Sequence, residues 1–235
     1  MTGFSAFRLF GTKRECTKST NNSISLDRQM DPAVGEYNFS FIAGGLLVNE
    51  LAAVAEVYHD LKDWDKTGEY DEVENLLRSR VASSGRRIFA EIRNRLQVLT
   101  EAQRMLLVEG VTSDQTAVAW VAVCKAYRIV REFAEEVVRE RFVTLAMTVS
   151  GDDFDRFLHS KEAWEPRLES LAESTREKAR TVVIRMLRES GITSEDGFIQ
   201  PTLLSDEFVS VLRSDDASLY RIFPISDQDF GRSLA

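Results

Sequence analysis

The 235 residues include only two histidines, two cysteines and four prolines, and each scarcity removes a class of function. His59 and His159 are far apart in the chain and neither shares a recognisable pattern with a cysteine. Nucleophile–base pairs therefore have no diagnostic spacing. Cys16 falls in a polar N-terminal tract and Cys124 inside an apolar helix. That placement matches neither a disulfide framework nor a zinc site and suits a reducing compartment, so the expected location is the cytoplasm. No apolar run reaches the roughly 18 residues of a membrane span, and the N-terminus has no signal-peptide core. A phosphate-cradling glycine loop and a dinucleotide fingerprint are also missing. A non-enzymatic protein without cofactor or metal is expected, although a carboxylate pair assembled only by the fold would leave no trace in sequence. Positive charge is in deficit too, with 30 Lys and Arg against 38 Asp and Glu, a net charge of −8. Any polyanion must then be met by local basic patches.

What remains is a chain 43% hydrophobic and 29% charged, nearly devoid of strand-type alternation, which predicts a multi-helical, all-α protein. Its most informative stretch runs from Ser174 to Pro201. Ser174 and Glu177 match a capping box, so a helix is expected to start there. Ala179, Val182, Val183, Met186 and Leu187 share one face, while Lys178, Thr181, Arg185 and Arg188 form a cationic stripe on the opposite one. Gly191 suits a left-handed helix stop, and Asp196-Gly197 is a turn pair between short segments, which predicts a small C-terminal β-hairpin wing. Helix plus hairpin outlines a winged helix-turn-helix, and the stripe suits phosphates. The plainer alternative is a solvated polar face.

A second basic surface lies upstream. Asp71 to Leu99 reads as two helices, DEVENLLRSRV and SSGRRIFAEIRNRLQVL, joined by a short Ala-Ser-Ser-Gly turn of helix-turn-helix spacing. In the latter helix Ile88, Phe89, Ile92 and Leu96 face inward, with Arg86 and Arg93 on one outward flank and Arg87 and Asn94 on the other. Only Glu91 offsets its arginines. Elsewhere, Gly44-Gly45 opens an apolar helix and permits close backbone approach. His59, Asp60, Asp63 and Asp65 could hold a metal or form a solvated helix end. Thr100 with Gln103, Thr112 with Gln115, and Ser150 with Asp153 match capping patterns. The helix from Ser113 toward Val143 should be the buried central one, around Trp120, Val121 and Cys124. Pro166 permits a new helix start, so two short helices precede the one at Ser174. The expected units are an extension at 1–36 with Phe4, Phe7, Leu9 and Phe10, a helical domain at 37–149, and a winged-helix-like domain with an acidic tail at 150–235.

Several blocks together resemble the BrxA family of bacteriophage exclusion (BREX) defence systems: FSFIAGGLL at Phe39–Leu47, NLLRSRVASSGRRIFAEIRNRL at Asn75–Leu96, AWVAVCKAYRIVREFAEEVVRERF at Ala119–Phe142, DFDRFLHSKEAWEP at Asp153–Pro166, and STREKARTVVIRMLRESGI followed by DGFIQP. Ile42 departs from the small polar residue expected at its position. The resemblance implies an all-helical cytoplasmic protein with helix-turn-helix elements that binds double-stranded DNA and has no catalytic activity of its own. Other BREX proteins are further candidate partners. On the residue reading, Arg86, Arg87, Arg93 and Asn94 from one unit and Lys178, Thr181, Arg185 and Arg188 from the other are the DNA-binding candidates, on a protein expected to be a monomer. An interaction scaffold within the BREX assembly, and RNA binding of the kind known for the antitermination factor NusB, stand as alternatives.

Overall fold

Apolar residues at helical spacing decide nearly every element of this chain, whose computed structural model describes residues 37–70, 85–163 and 165–232. In order, a 3-10 turn (Ser40–Ala43) leads into α1 (Val48–Leu61), α2 (Trp64–Glu69), α3 (Gly85–Gln97), α4 (Glu101–Glu109) and α5 (Thr112–Ala126). Then come α6 (Arg128–Phe133), a π-helical turn (Ala134–Arg139) and α7 (Glu140–Val143), followed by α8 (Gly151–Glu162), α9 (Pro166–Glu169) and α10 (Glu173–Glu189). The chain closes with α11 (Asp206–Asp215), a second 3-10 turn (Ala217–Ile222) and α12 (Asp227–Arg232). The helix expected at DEVENLLRSRV, the phenylalanines of the N-terminal extension and Trp164 lie outside the described residues.

The all-α expectation holds, and α5 is the buried centre: every side chain from Val118 to Cys124 is within 1% of full burial. Trp120 anchors it to the C-terminal region by donating its indole N–H to Ile222 O at 3.0 Å. The helix does not run on to Val143, however. Tyr127 adopts φ −130°, ψ 97° and separates α5 from α6. Capping chemistry is matched at two of the four positions where it is expected. Thr100 Oγ1 accepts from Gln103 N at 3.2 Å while Gln103 Oε1 accepts from Thr100 N at 3.0 Å, and Asp153 Oδ2 accepts from Ser150 N at 2.9 Å. At Thr112 the cap is missing because Gln115 donates instead to Leu107 O on α4 at 2.8 Å. α10 begins at Glu173, ahead of Ser174, with Ala172 in the cap position.

The β-hairpin wing is not formed. Among the described residues there is no strand, only the isolated bridges Thr193↔Ile199 and Thr148↔Phe198. The turn itself is present, with Gly197 at φ +79° and its N–H on Ser194 O at 3.0 Å. The ladder fails because the outgoing arm divides its backbone groups between two neighbours. Gln200 N–H goes to Ile192 O at 2.9 Å, but Ile199 N–H goes to Met147 O at 2.8 Å and Val149 N–H comes to Gly197 O at 2.9 Å. Each pairing is one bridge long, short of the three or so residues of even a short strand. Gly191, at φ +72°, does provide the left-handed stop after α10.

Gly197 has two reasons to stay glycine. Its φ is left-handed, and a Cβ would sit 2.4 Å from Val149 O. Gly197→Ala is therefore expected to destabilise the fold by about 1–3 kcal/mol, read as a lower urea midpoint at unchanged slope. An unchanged midpoint would show that the turn is not held against the 147–149 segment.

Candidate nucleic-acid interface

On α3, Ile88, Ile92 and Leu96 are buried and Phe89 is half-buried, as the spacing predicts. The buried face also carries two charged residues, Arg95 at 0% and Glu91 at 4% exposure. Arg95 Nε donates to Glu91 Oε1 at 2.7 Å, and its Nη1 donates to Gly45 O at 2.8 Å and Leu46 O at 3.1 Å. The other Glu91 oxygen accepts from the Tyr127 hydroxyl at 2.5 Å and from Ser40 Oγ at 3.3 Å. Asn94 Nδ2 donates to the same Tyr127 hydroxyl at 3.1 Å. Burial, reinforced by the Glu91 carboxylate, pushes the Tyr127 phenol up to about 12. Glu91 thus balances the buried Arg95 and not the surface arginines. The outward face of α3 is more cationic than its sequence suggests.

The Gly45-Leu46 peptide that receives Arg95 is held from the other side by α10. Leu46 N–H donates to Glu189 Oε2 at 2.5 Å, and a Cβ on Gly45 would meet that same oxygen at 2.5 Å. This is the close approach that the paired glycines predict. The 3-10 turn Ser40–Ala43 packs against both α3 and α10. Between these elements lies a cleft of about 580 Å³. Arg87 and Asn94 line it from α3, Lys178 from α10, and Phe39 and Ile42 from the turn region.

Three of the eight candidates therefore converge on one cleft: Arg87, Asn94 and Lys178. Arg86, Arg87 and Lys178 are exposed, and none of them forms an ion pair with a described residue. Arg93 lies to one side, half-exposed, 3.5 Å from Asp65 and over the Trp64 ring. Arg185 lines a neighbouring hollow of about 420 Å³ and stands 3.7 Å from Glu189. Arg188 is 3.8 Å from Glu195 and Thr181 donates its hydroxyl to Glu177 O at 2.8 Å. Exposed pairs of this length hold their cations weakly, so Arg93, Arg185 and Arg188 stay available to a competing phosphate. Of the carboxylates near His59, Asp63 caps α2 by accepting from Asp65 N and Lys66 N, and Asp65 lies 3.5 Å from Arg93. Sequence reading missed Ser40, Arg95 and Tyr127. The spacing of Glu91 and Arg95, one helical turn apart, was the only available signal.

The BrxA family profile matches residues 35–216. Among known relatives, the BREX protein BrxA of Escherichia coli is 25% identical over 152 residues, covering 64% of this chain and 70% of that protein. The BREX protein BrxA of Paramagnetospirillum magneticum is 24% identical over 182 residues, covering 77% and 92%. A crystal structure of an uncharacterized protein from Magnetospirillum magneticum superposes with a TM-score of 0.70 at 23% identity, covering 80% of this chain and 98% of the other.

Because the Tyr127 pKa is raised on folding from 10 to about 12, its contribution to stability is complete below pH 10 and is lost as pH rises toward 12. Difference titration of the tyrosinate band between the native protein and Tyr127→Phe should therefore isolate one phenol that ionises well above the ordinary tyrosine value of 10. Ionisation of that phenol near pH 10 would show that it does not donate to a buried carboxylate.

Proposed function

The chain belongs to the BrxA family, and on that premise we propose that it is a non-catalytic accessory protein of a BREX phage-defence system that grips double-stranded DNA by its phosphates. One observation carries the proposal. Cations from α3 and α10, helices far apart in the sequence, border a single cleft in a molecule of net charge −8. The α8–α10 unit supplies the helix-turn-helix outline, with Lys178, Thr181, Arg185 and Arg188 along the exposed side of α10. Arg86, Arg87 and Arg93 extend the cationic surface over α3. Phosphate contacts fix a protein on duplex without reading its bases, so sequence preference is weak. The protein works in the cytoplasm beside other BREX proteins, which are its partners in the defence system.

In retardation of a blunt duplex, log affinity should fall linearly with log salt. Arg87→Glu and Lys178→Glu should each weaken binding about tenfold or more, and Lys178→Ala should reduce the salt slope by about 1. Circular dichroism should stay unchanged, because both side chains are exposed. Unaltered retardation in both variants would remove the cleft cations from the interface. Stronger binding of structured RNA than of duplex in competition would instead assign the surface to RNA.

A further inference from the structure

A duplex backbone uses only part of the cleft between α3 and α10. Phosphates need the cations on its walls, yet Phe39, Ile42 and Ala43 place apolar surface beside those cations. A ligand that only touched the rim would leave that surface wet. We propose that the cleft seats one nucleotide unit, with its phosphate between Arg87 and Lys178 and its base against Phe39 and Ile42. The inference rests on the reading above in giving the same two cations a phosphate to hold.

Three further features fit this occupant. The volume of about 580 Å³ falls within the range of about 300–1,000 Å³ that small-molecule sites occupy. Asn94 spends its amide nitrogen on Tyr127, while its side-chain oxygen has no partner among the described residues. That oxygen is a free acceptor for the amino edge of a base, the group an asparagine pairs with in base recognition. Glu91 also lines the cleft, but one of its oxygens is held by Arg95 and the other by Tyr127 and Ser40. Its charge is compensated from within, so the phosphate meets no open carboxylate there. The same nucleotide chemistry is offered by a free nucleotide and by an unpaired residue at the end of a DNA strand.

The test is calorimetric titration of the full chain with AMP, with adenosine and inorganic phosphate measured alongside, and parallel affinity measurements on a blunt duplex and on one carrying a single-stranded adenine overhang. AMP should bind saturably and more tightly than either of its parts. Arg87→Ala and Lys178→Ala should each weaken AMP about tenfold. Ala90→Trp, which adds a ring to an exposed position on the cleft wall, should remove AMP binding. A preference for the overhang that disappears in Ala90→Trp identifies strand ends as the source, and equal affinity for both duplexes identifies free nucleotide. Absence of saturable AMP binding, or AMP binding that survives Ala90→Trp, would overturn the proposal. A protein that binds blunt duplex but not AMP refutes this inference alone, whereas one that binds AMP but not blunt duplex refutes the duplex-grip reading alone.

Discussion

A guanidinium with no solvent contact must be fully compensated or it destabilises the protein that buries it. Arg95 meets most of that demand with one carboxylate and two backbone carbonyls, while its Nη2 has no partner among the described residues. The carbonyls belong to Gly45 and Leu46, and the N–H of Leu46 is taken by Glu189 of α10. One peptide segment is thereby fixed between the two basic helices, and the position of the cleft follows from it. Glu91 completes the arrangement by joining Arg95 to Tyr127 and Ser40. The break after α5, which places Tyr127 in this network, is thus part of the same construction.

The electrostatic outcome differs from what the net charge suggests. Carboxylates are in excess overall, yet many are engaged in local ion pairs: Glu101 with Arg104 and Lys62, Asp153 with Arg141 and Arg156, Glu132 with Lys161 and Arg128. Hydrogen bonds from Arg104 and Lys62 hold the Glu101 carboxyl down at about 2. For Glu132, burial acts to raise the pKa, but donors from Lys161, Tyr37 and Arg128 outweigh it and the net direction is down. Arg86, Arg87 and Lys178 escape such pairing with described residues. A polyanion approaching Arg87 and Lys178 meets cations for which no described neighbour competes.

Local rules made the helices legible. The apolar face of α10, the buried α5, the caps at Thr100 and Ser150, and the left-handed Gly191 all follow from spacing and residue type. Tertiary competition defeated the remaining readings. Gln115 could cap its own helix but bonds to α4, and the arm after Gly197 could pair with its hairpin partner but bonds to Met147 as well. In the candidate interface, exposure of Lys178, Arg86 and Arg87 was readable from periodicity. The role of Glu91 was not, because one Glu among arginines looks like a surface counter-charge until Arg95 is known to point inward. The convergence of α3 and α10 depends on the Gly44-Gly45 loop between them, a contact distant in sequence that no local pattern encodes.

The buried Arg95–Glu91 pair, through the Gly45-Leu46 segment, holds α3 and α10 at a fixed separation. The most direct measurement is the distance between spin labels placed at positions 86 and 178, in a chain whose Cys16 is replaced by serine and whose remaining Cys124 is buried. A single narrow distribution is expected in the otherwise native protein and a markedly broader one in Glu91→Gln, with helical content retained in both. Identical narrow distributions in the two proteins would contradict it.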